Sequence, residues 1–287
     1  MQNKKDVIFC VDIGGTKTAF ACFDTQGNEL FYDCFPTNPK EGAARLVERV
    51  FERAKPHVSD VKTGVIASPG PLDVKLGKIV NVTTMGWTNV PIVRLFEEKF
   101  GISFRLLNDC DAGGLGVWKF GGYSEANTLC YVSVSTGIGG GIVANGRLLT
   151  GKGNAAEFGH IPVPGEGLKC GCGGVDCLEL YASGSGLEAR YLQKTGKGLS
   201  CLEIERLARS GDTLACGLFK EAGEKLAFAL AAVKSVLDPD IVVLGGSVCK
   251  AKDLFMPVVE KRLPTLCIEY AKSGKQVLLG ALAYGLR

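Results

Sequence analysis

One imidazole and three thiols fall close together in the stretch EFGHIPVPGEGLKCGCGGVDCLE (157–179), namely His160, Cys170, Cys172 and Cys177. An imidazole upstream of a CxCx4C array is a donor set suited to Zn2+. Four protein donors close a tetrahedron and leave no position for an activated water, so the chemistry expected of such a site is structural. Unmetallated core cysteines are one alternative, and three thiols interleaved with glycines speak against it. A nucleic-acid finger is another, but the flanks EGLK and LELYASGSG supply no basic, aromatic helix. A carboxylate bounds the stretch at each end, Glu157 and Glu179. The other histidine, His57 in KPHVSD, reads as a surface residue at a helix end.

Three glycine-rich turns follow buried strands. In DIGGTK, Asp12 closes a strand ahead of Gly14, Gly15, Thr16 and Lys17. Paired glycines let backbone N–H groups approach phosphate oxygens, and Thr and Lys add donors. Asp12 offers Mg2+ an oxygen ligand, directly or through water. An ordinary hairpin turn is the alternative for this motif alone. STGIGGG (135–141), with Thr136 and Gly137, and LGGS (244–247), with Gly245 and Gly246, make three such turns hard to explain as connectors. GxxxxGK[ST] and a GxGxxG after the first strand are absent, so neither a P-loop nor a dinucleotide fold is expected.

RLLND ends on Asn108 and Asp109. A carboxylate at a strand end can accept a proton from a hydroxyl, which phosphoryl transfer to an alcohol requires. Asn108 and Asp109 also suit a helix cap, ahead of a helical pattern from Ala112; Asp111 could be that cap and leave Asp109 for chemistry.

These residues need strands that end at the turns. VIFCVD, TAFACFD and ELFYDCF read as strands, 41–54 as an amphipathic helix, and KTGVIAS and RLLND as further strands. LCYVSVS, GIVA and RLLTG repeat the opening plan, with Asn145-Gly146 as a type I′ turn. Thr213–Leu237 reads as a long helix ended by DPD, and IVVLGGS as a buried strand. The repetition implies an internal duplication, two α/β lobes whose glycine turns face one cleft. The expected division is 1–112, joined by 276–287, and 113–275, which carries the zinc loop 157–179.

The chain has 287 residues, 46% apolar and 22% charged, with net charge +3. That charge is too mild to suggest nucleic acid. No apolar run reaches membrane-spanning length, and the N-terminus lacks a signal-peptide core. A cytoplasmic protein with reduced thiols is expected.

VDIGGTKTAF, LLNDCDAG, VSVSTGIGGGIVANGRLLTG, EFGHIPV, CGCGGVDCLE and VVLGGSV together resemble the ROK family of sugar kinases and related repressors, in order from about Val7 to Gly280. The resemblance implies the two-lobed actin-like (hexokinase-type, ribonuclease H-like) ATPase fold with a structural zinc loop. It implies ATP- and Mg2+-dependent phosphorylation of the 6-hydroxyl of a hexose or N-acetylhexosamine, glucose or N-acetylmannosamine foremost. Asp109 is then the general base, with Asn108, Glu157, His160, Glu179, Gly70 and Thr84 on the sugar side. Asp12, Gly14, Gly15, Thr16, Lys17, Thr136 and Gly137 serve phosphate and Mg2+, and Gly245 and Gly246 lie near the adenosine. A homodimer is implied by the resemblance alone.

The chain departs from the family pattern at Asp111, where Asn is frequent, and at Asp176, where Gly usually precedes the last Cys. GALAYGLR is short for the helix that usually packs back on the first lobe. A sugar-binding repressor of the same family is the competing expectation, disfavoured because the first strand starts too early to leave room for a helix-turn-helix domain. A non-enzymatic zinc-stabilised scaffold is a third.

Overall fold

β1 (Val7–Ile13) is apolar on both faces because both faces are covered. The structure, a computed structural model, describes residues 7–272 and 274–287. β1 pairs antiparallel with β2 (Lys17–Asp24), which pairs with β3 (Glu29–Pro36). On its other side β1 runs parallel to β4 (Val61–Ser68), and β4 to β8 (Ser103–Asn108). Phe9, Val11 and Ile13 face one core with residues of α1 (Ala43–Ala54) and α2 (Ile92–Phe100), among them Leu46, Val50 and Phe96. Ile8 and Cys10 face the other, with Leu278, Ala281 and Leu282 of α9 (Gln276–Gly285). A small antiparallel sheet of β5 (Leu72–Asp73), β6 (Lys78–Val82) and β7 (Trp87–Val90) joins the α1–α2 side through Ile79, Val82 and Trp87.

The chain divides into two compact units. The first runs through Glu125 and takes in Leu148–Ala155 and Lys272–Arg287. α3 (Asp109–Phe120) lies wholly within it, past the boundary at 112 read from the sequence, because it packs along α9. That packing is backbone-close: a Cβ on Gly280 would stand 1.6 Å from the Ala112 carbonyl oxygen, and one on Gly116 2.0 Å from that of Gln276. Short as it is, GALAYGLR therefore completes a ten-residue helix with a defined seat.

The second unit, Ala126–Arg147 with Ala156–Ala271, repeats the plan. β9 (Thr128–Val134) and β10 (Ile138–Ala144) form a hairpin-like antiparallel pair followed by β11 (Arg147–Leu148). β12 (Ile241–Gly245) lies parallel to β9, and β13 (Ile268–Tyr270) parallel to β12. The orders β3-β2-β1-β4-β8 and β11-β10-β9-β12-β13 correspond strand for strand, as a duplication requires. Asn145 (φ 49°) and Gly146 (φ 72°) make the left-handed β10–β11 turn. Helices α4 (Glu179–Ala182), α5 (Gly184–Thr195), α6 (Cys201–Arg209), α7 (Thr213–Leu237) and α8 (Lys252–Arg262) belong to this unit. α7 starts at Asp212, whose carboxylate accepts the Ala215 N–H, a cap worth about 1 kcal/mol. It ends at Asp238 in the left-handed region (φ 41°). No helix among the described residues is long and apolar enough to cross a membrane.

Candidate active site

In the first unit, β1 and β8 deliver two carboxylates at their C-terminal ends. Asp12 lies on β1 and Asp109 is the first residue of α3. Burial first, and then the negative charge of Asp109, raise the Asp12 carboxyl to about 7, with Lys17 opposing. The turn between β1 and β2 is fixed locally: Gly14 N–H donates to the Lys17 carbonyl at 3.0 Å, and Thr37 Oγ1 donates to the Gly14 carbonyl at 2.6 Å. Gly15, Thr16 and Lys17 are exposed there.

Asn108, not Asp111, caps α3. Its side-chain oxygen accepts from the N–H groups of Cys110 (2.9 Å) and Asp111 (3.2 Å). The helix starts three residues before Ala112 because the strand runs straight into it, with no intervening loop for a later cap to serve. Both cap partners are donors, so the Asn108 oxygen faces the helix and its NH2 faces away. That Nδ2 stands 3.3 Å from where a Gly70 side chain would begin. Asp109 Oδ1 accepts the Cys110 N–H at 2.8 Å, and the helix N-terminus favours its negative charge. Thr84 is exposed on the 3-10 turn Thr83–Met85, whose Met85 side chain approaches Gly15.

In the second unit, the turn after β9 is shorter than its glycines suggest. Only Ser135–Gly137 lies outside strands; Gly139, Gly140 and Gly141 belong to β10. Gly140 is required there because a Cβ would stand 2.2 Å from the Phe158 ring. The turn is tied to α5 by Ser185, whose N–H (3.0 Å) and Oγ (2.7 Å) donate to the Thr136 carbonyl. Gly245 ends β12 beside β9, and Gly246 has φ 95° with the Val134 backbone against it. Ser135 and Ser247 hydroxyls are 3.1 Å apart, so these two glycine turns adjoin.

Ile138 gathers the rest of this unit's polar set. Its N–H donates to Glu179 Oε2 at 2.8 Å. Its carbonyl lies where a Gly159 side chain would fall (2.2 Å), and Gly159 sits between exposed Glu157 and half-buried His160. The described residues contain one His/Cys cluster, His160, Cys170, Cys172 and Cys177, with all donor atoms within 4.8 Å of one another. His160 Nδ1 is 3.7 Å from Cys170 Sγ, and Cys172 and Cys177 sulfurs are 3.6 Å apart. Donors bonded at about 2.0–2.3 Å to a tetrahedral Zn2+ stand about 3.5–3.8 Å apart, so the cluster fits that ion. The hydrogen bond from Gly174 N–H lowers the Cys172 thiol, while burial pushes Cys177 up to about 12. A cation bound there would let both be thiolates together. His57 is exposed and stacks on Phe31 at 3.9 Å, apart from any of this.

The fold recurs in known proteins. The ROK family model matches residues 8–281. The chain belongs to the ROK family. A ROK hexokinase from Thermus thermophilus superimposes with TM-score 0.86 at 32% identity, covering 96% of this chain and 97% of that one. A ROK glucokinase from Streptomyces griseus, in complex with glucose and AMPPNP, gives TM-score 0.81 at 28% identity over 97% and 98%. The fold is therefore that of the ROK hexokinases, the actin-like ATPase fold. A glucokinase from Halalkalibacterium halodurans is 29% identical over 95% of this chain and 89% of its own length. An N-acetylmannosamine kinase from Salmonella typhi is 31% identical over 83% and 82%. A putative xylose repressor from Caldicellulosiruptor is 31% identical over 74% of this chain, which spans 56% of the repressor.

Residues beyond the glycines also hold these turns. Thr37, Ser185 and Ser247 brace the three turns, and of these Thr37 and Ser185 carry no signal of their own in the sequence. Ser247 is the last residue of LGGS itself; Thr37 and Ser185 act through contacts 23 and 49 residues away in the chain.

Proposed function

We propose that this protein is an ATP-dependent sugar kinase that phosphorylates the 6-hydroxyl of an aldohexose or N-acetylhexosamine, with glucose and N-acetylmannosamine the leading substrates. The observation that carries this reading is the electrostatic coupling of Asp12, at the end of β1, to Asp109, at the N-terminus of α3. A carboxylate whose charge raises its neighbour marks a place for a cation beside a base.

Asp109 accepts the proton of the sugar hydroxyl as that hydroxyl's oxygen attacks the γ-phosphorus, the bond from the γ-phosphorus to the β–γ bridging oxygen breaks and ADP leaves. The helix N-terminus favours the charged form of the carboxylate. Asn108, its oxygen committed to the cap, offers its NH2 as a donor to a sugar hydroxyl. Glu157 and Glu179 accept hydroxyl hydrogens, and His160 turns Nδ1 to the metal cluster and Nε2 to the sugar. Backbone N–H groups of the Gly14–Lys17 and Thr136–Gly137 turns donate to phosphate oxygens, with Gly245 and Gly246 leaving space for the nucleoside. Mg2+, held by Asp12 directly or through water, would neutralise phosphate charge; Zn2+ would hold the loop of His160 and take no part in the chemistry.

ADP release measured over a panel of glucose, mannose, fructose, allose, N-acetylglucosamine and N-acetylmannosamine tests this, with kcat/KM ranking the sugars. Sugar- and Mg2+-dependent ADP formation is expected; a panel giving only the sugar-independent background would sink the kinase. The similarity to a xylose repressor favours one second reading, a sugar-binding regulator without phosphoryl transfer. Sugar binding by calorimetry without ADP formation is its signature.

A further inference from the structure

The His160, Cys170, Cys172 and Cys177 side chains draw the 161–178 loop together at one point, and a separate set of contacts ties Asp176 and Tyr181 to residues 166–168. The loop is a ribbon: Val163 N–H donates to the Asp176 carbonyl, Asp176 N–H to the Leu168 carbonyl and Leu178 N–H to the Ile161 carbonyl. Asp176 sits at its bend with φ 53°, a left-handed conformation that glycine accepts without strain and most residues do not. What the carboxylate gains there is visible. Asp176 Oδ1 accepts the Tyr181 hydroxyl at 2.5 Å and the Leu168 N–H at 2.8 Å, and both of its oxygens stand 3.0 Å from the Gly167 N. The Tyr181 oxygen in turn accepts the Glu166 N–H at 2.9 Å.

The rest of the molecule is shaped around this pair. Gly165 has no side chain where the pair lies: a Cβ would stand 2.2 Å from the Tyr181 hydroxyl and 2.5 Å from Asp176 Oδ1. Arg190 is 2% exposed and spans the other face, with Nη1 donating to Glu221 at 2.7 Å and Nη2 to Glu166 at 3.1 Å. Its guanidinium lies 4.8 Å from the Tyr181 ring centre. A buried guanidinium needs partners of this kind.

The hydrogen bond from Tyr181 to Asp176 closes a short ring of chain that contains Cys177 and Glu179. We infer that Asp176 and Tyr181, backed by Arg190, form a clasp that positions Glu179 for sugar and Cys177 for the metal, independently of the metal itself. The clasp makes Asp176 and Tyr181 positioning residues that touch neither sugar nor phosphate. Its sugar half rests on the kinase reading above; its metal half does not.

Asp176→Gly is the decisive variant, because glycine keeps the backbone conformation and removes only the carboxylate. In the zinc-loaded protein, release of zinc to a chromogenic chelator is expected to quicken about ten-fold, and the calorimetric sugar Kd to rise about ten-fold. Where the wild type is active, kcat at saturating sugar and the ATP KM stay close to its values. Asp176→Asn, which tolerates the left-handed backbone and keeps an acceptor, recovers part of both effects. Tyr181→Phe reproduces them, and the double variant is no worse than either single one.

Wild-type zinc release in Asp176→Gly overturns the proposal, as do fully additive single variants. Faster release with an unchanged sugar Kd overturns the positioning of Glu179. A lowered Tm with both readouts unchanged reduces the pair to a structural contact and overturns it too, and so does a protein that takes up no zinc. If the wild-type protein binds no sugar, the kinase reading fails by itself and the zinc measurement alone decides the clasp.

Discussion

Glu179 Oε2 accepts the Ile138 backbone N–H at 2.8 Å, so the acid that ends the His160–Cys177 loop also holds the first residue beyond the Thr136–Gly137 turn. A side chain proposed for sugar and a turn proposed for phosphate are thereby joined by one hydrogen bond. Glu179→Ala leaves the Ile138 N–H without its acceptor, a loss of about 1–3 kcal/mol when buried, and is expected to raise the KM of both sugar and ATP. Glu179→Gln keeps an acceptor for Ile138 and is expected to raise the sugar KM with the ATP KM nearly unchanged. Gly137→Ala supplies the converse: its Cβ would stand 2.5 Å from Glu179 Oε2 and displace that carboxylate. Sugar affinity then falls although the altered residue lies on the phosphate side. Steady-state kinetics in both substrates read all three variants.

Asp109 and Asn108 are neighbours with separable duties. Asp109→Asn leaves the α3 cap intact and removes the base, so kcat is expected to fall about 10²–10⁴-fold with Tm near wild type. Asn108→Ala removes the oxygen that accepts from Cys110 and Asp111, costing about 1 kcal/mol of stability as well as sugar affinity. Thermal melts beside initial rates separate the two; an Asp109→Asn protein with full turnover would refute the base.

Much of this was legible because β1 and β9 are continuous apolar runs ending in glycine turns, and the Asn145-Gly146 signal names its own turn type. What escaped depends on contacts far apart in sequence. GIGGG reads as one long turn, yet Gly140 is a strand residue made necessary by the Phe158 ring. Asp111 reads as a cap only if a loop follows the strand, and none does. The β5–β7 sheet carries little alternation of its own; Ile79, Val82 and Trp87 are buried by α1 and α2. Asp176 stood out in sequence as a departure, but its partner Tyr181 and the space left by Gly165 appear only when the loop is folded.

Asp12 makes stability pH-dependent in an unusual direction for a carboxylate. Its folded value is raised from 3.8 to about 7, so the folded state binds the proton more tightly than the unfolded chain. The stabilisation is full below about 3.8, declines as pH rises towards 7, and is gone above it, a contribution on the order of a few kcal/mol. Asp12→Asn is expected to flatten the Tm profile between pH 4 and 7 and to melt higher than wild type at pH 8 while losing Mg2+-dependent activity. Millimolar Mg2+ with nucleotide should raise the wild-type Tm at pH 8 and leave that of the variant unmoved. A wild-type Tm that rises from pH 4 to 7 faster than that of Asp12→Asn would contradict the assignment.

Removing the metal tests whether the cluster is a clip or a reactant. Cys172 is exposed and contributes one sulfur at 3.6 Å from Cys177, so Cys172→Ser deletes a donor without opening a cavity in the core. A weakened cluster frees His160 Nδ1 and loosens the ribbon that leads into Glu179, whereas the β1–β2 turn lies in the other unit and has its own Thr37 brace. The expected outcome is a lower Tm and a sugar KM raised about ten-fold or more, with ATP binding by the isolated nucleotide assay largely spared. Chelation of the wild type should reproduce the same pattern, and added Zn2+ should reverse it. A metal that performed chemistry would instead lower kcat with sugar KM unmoved, because a closed set of four protein donors has no place for a reacting ligand and an open one does.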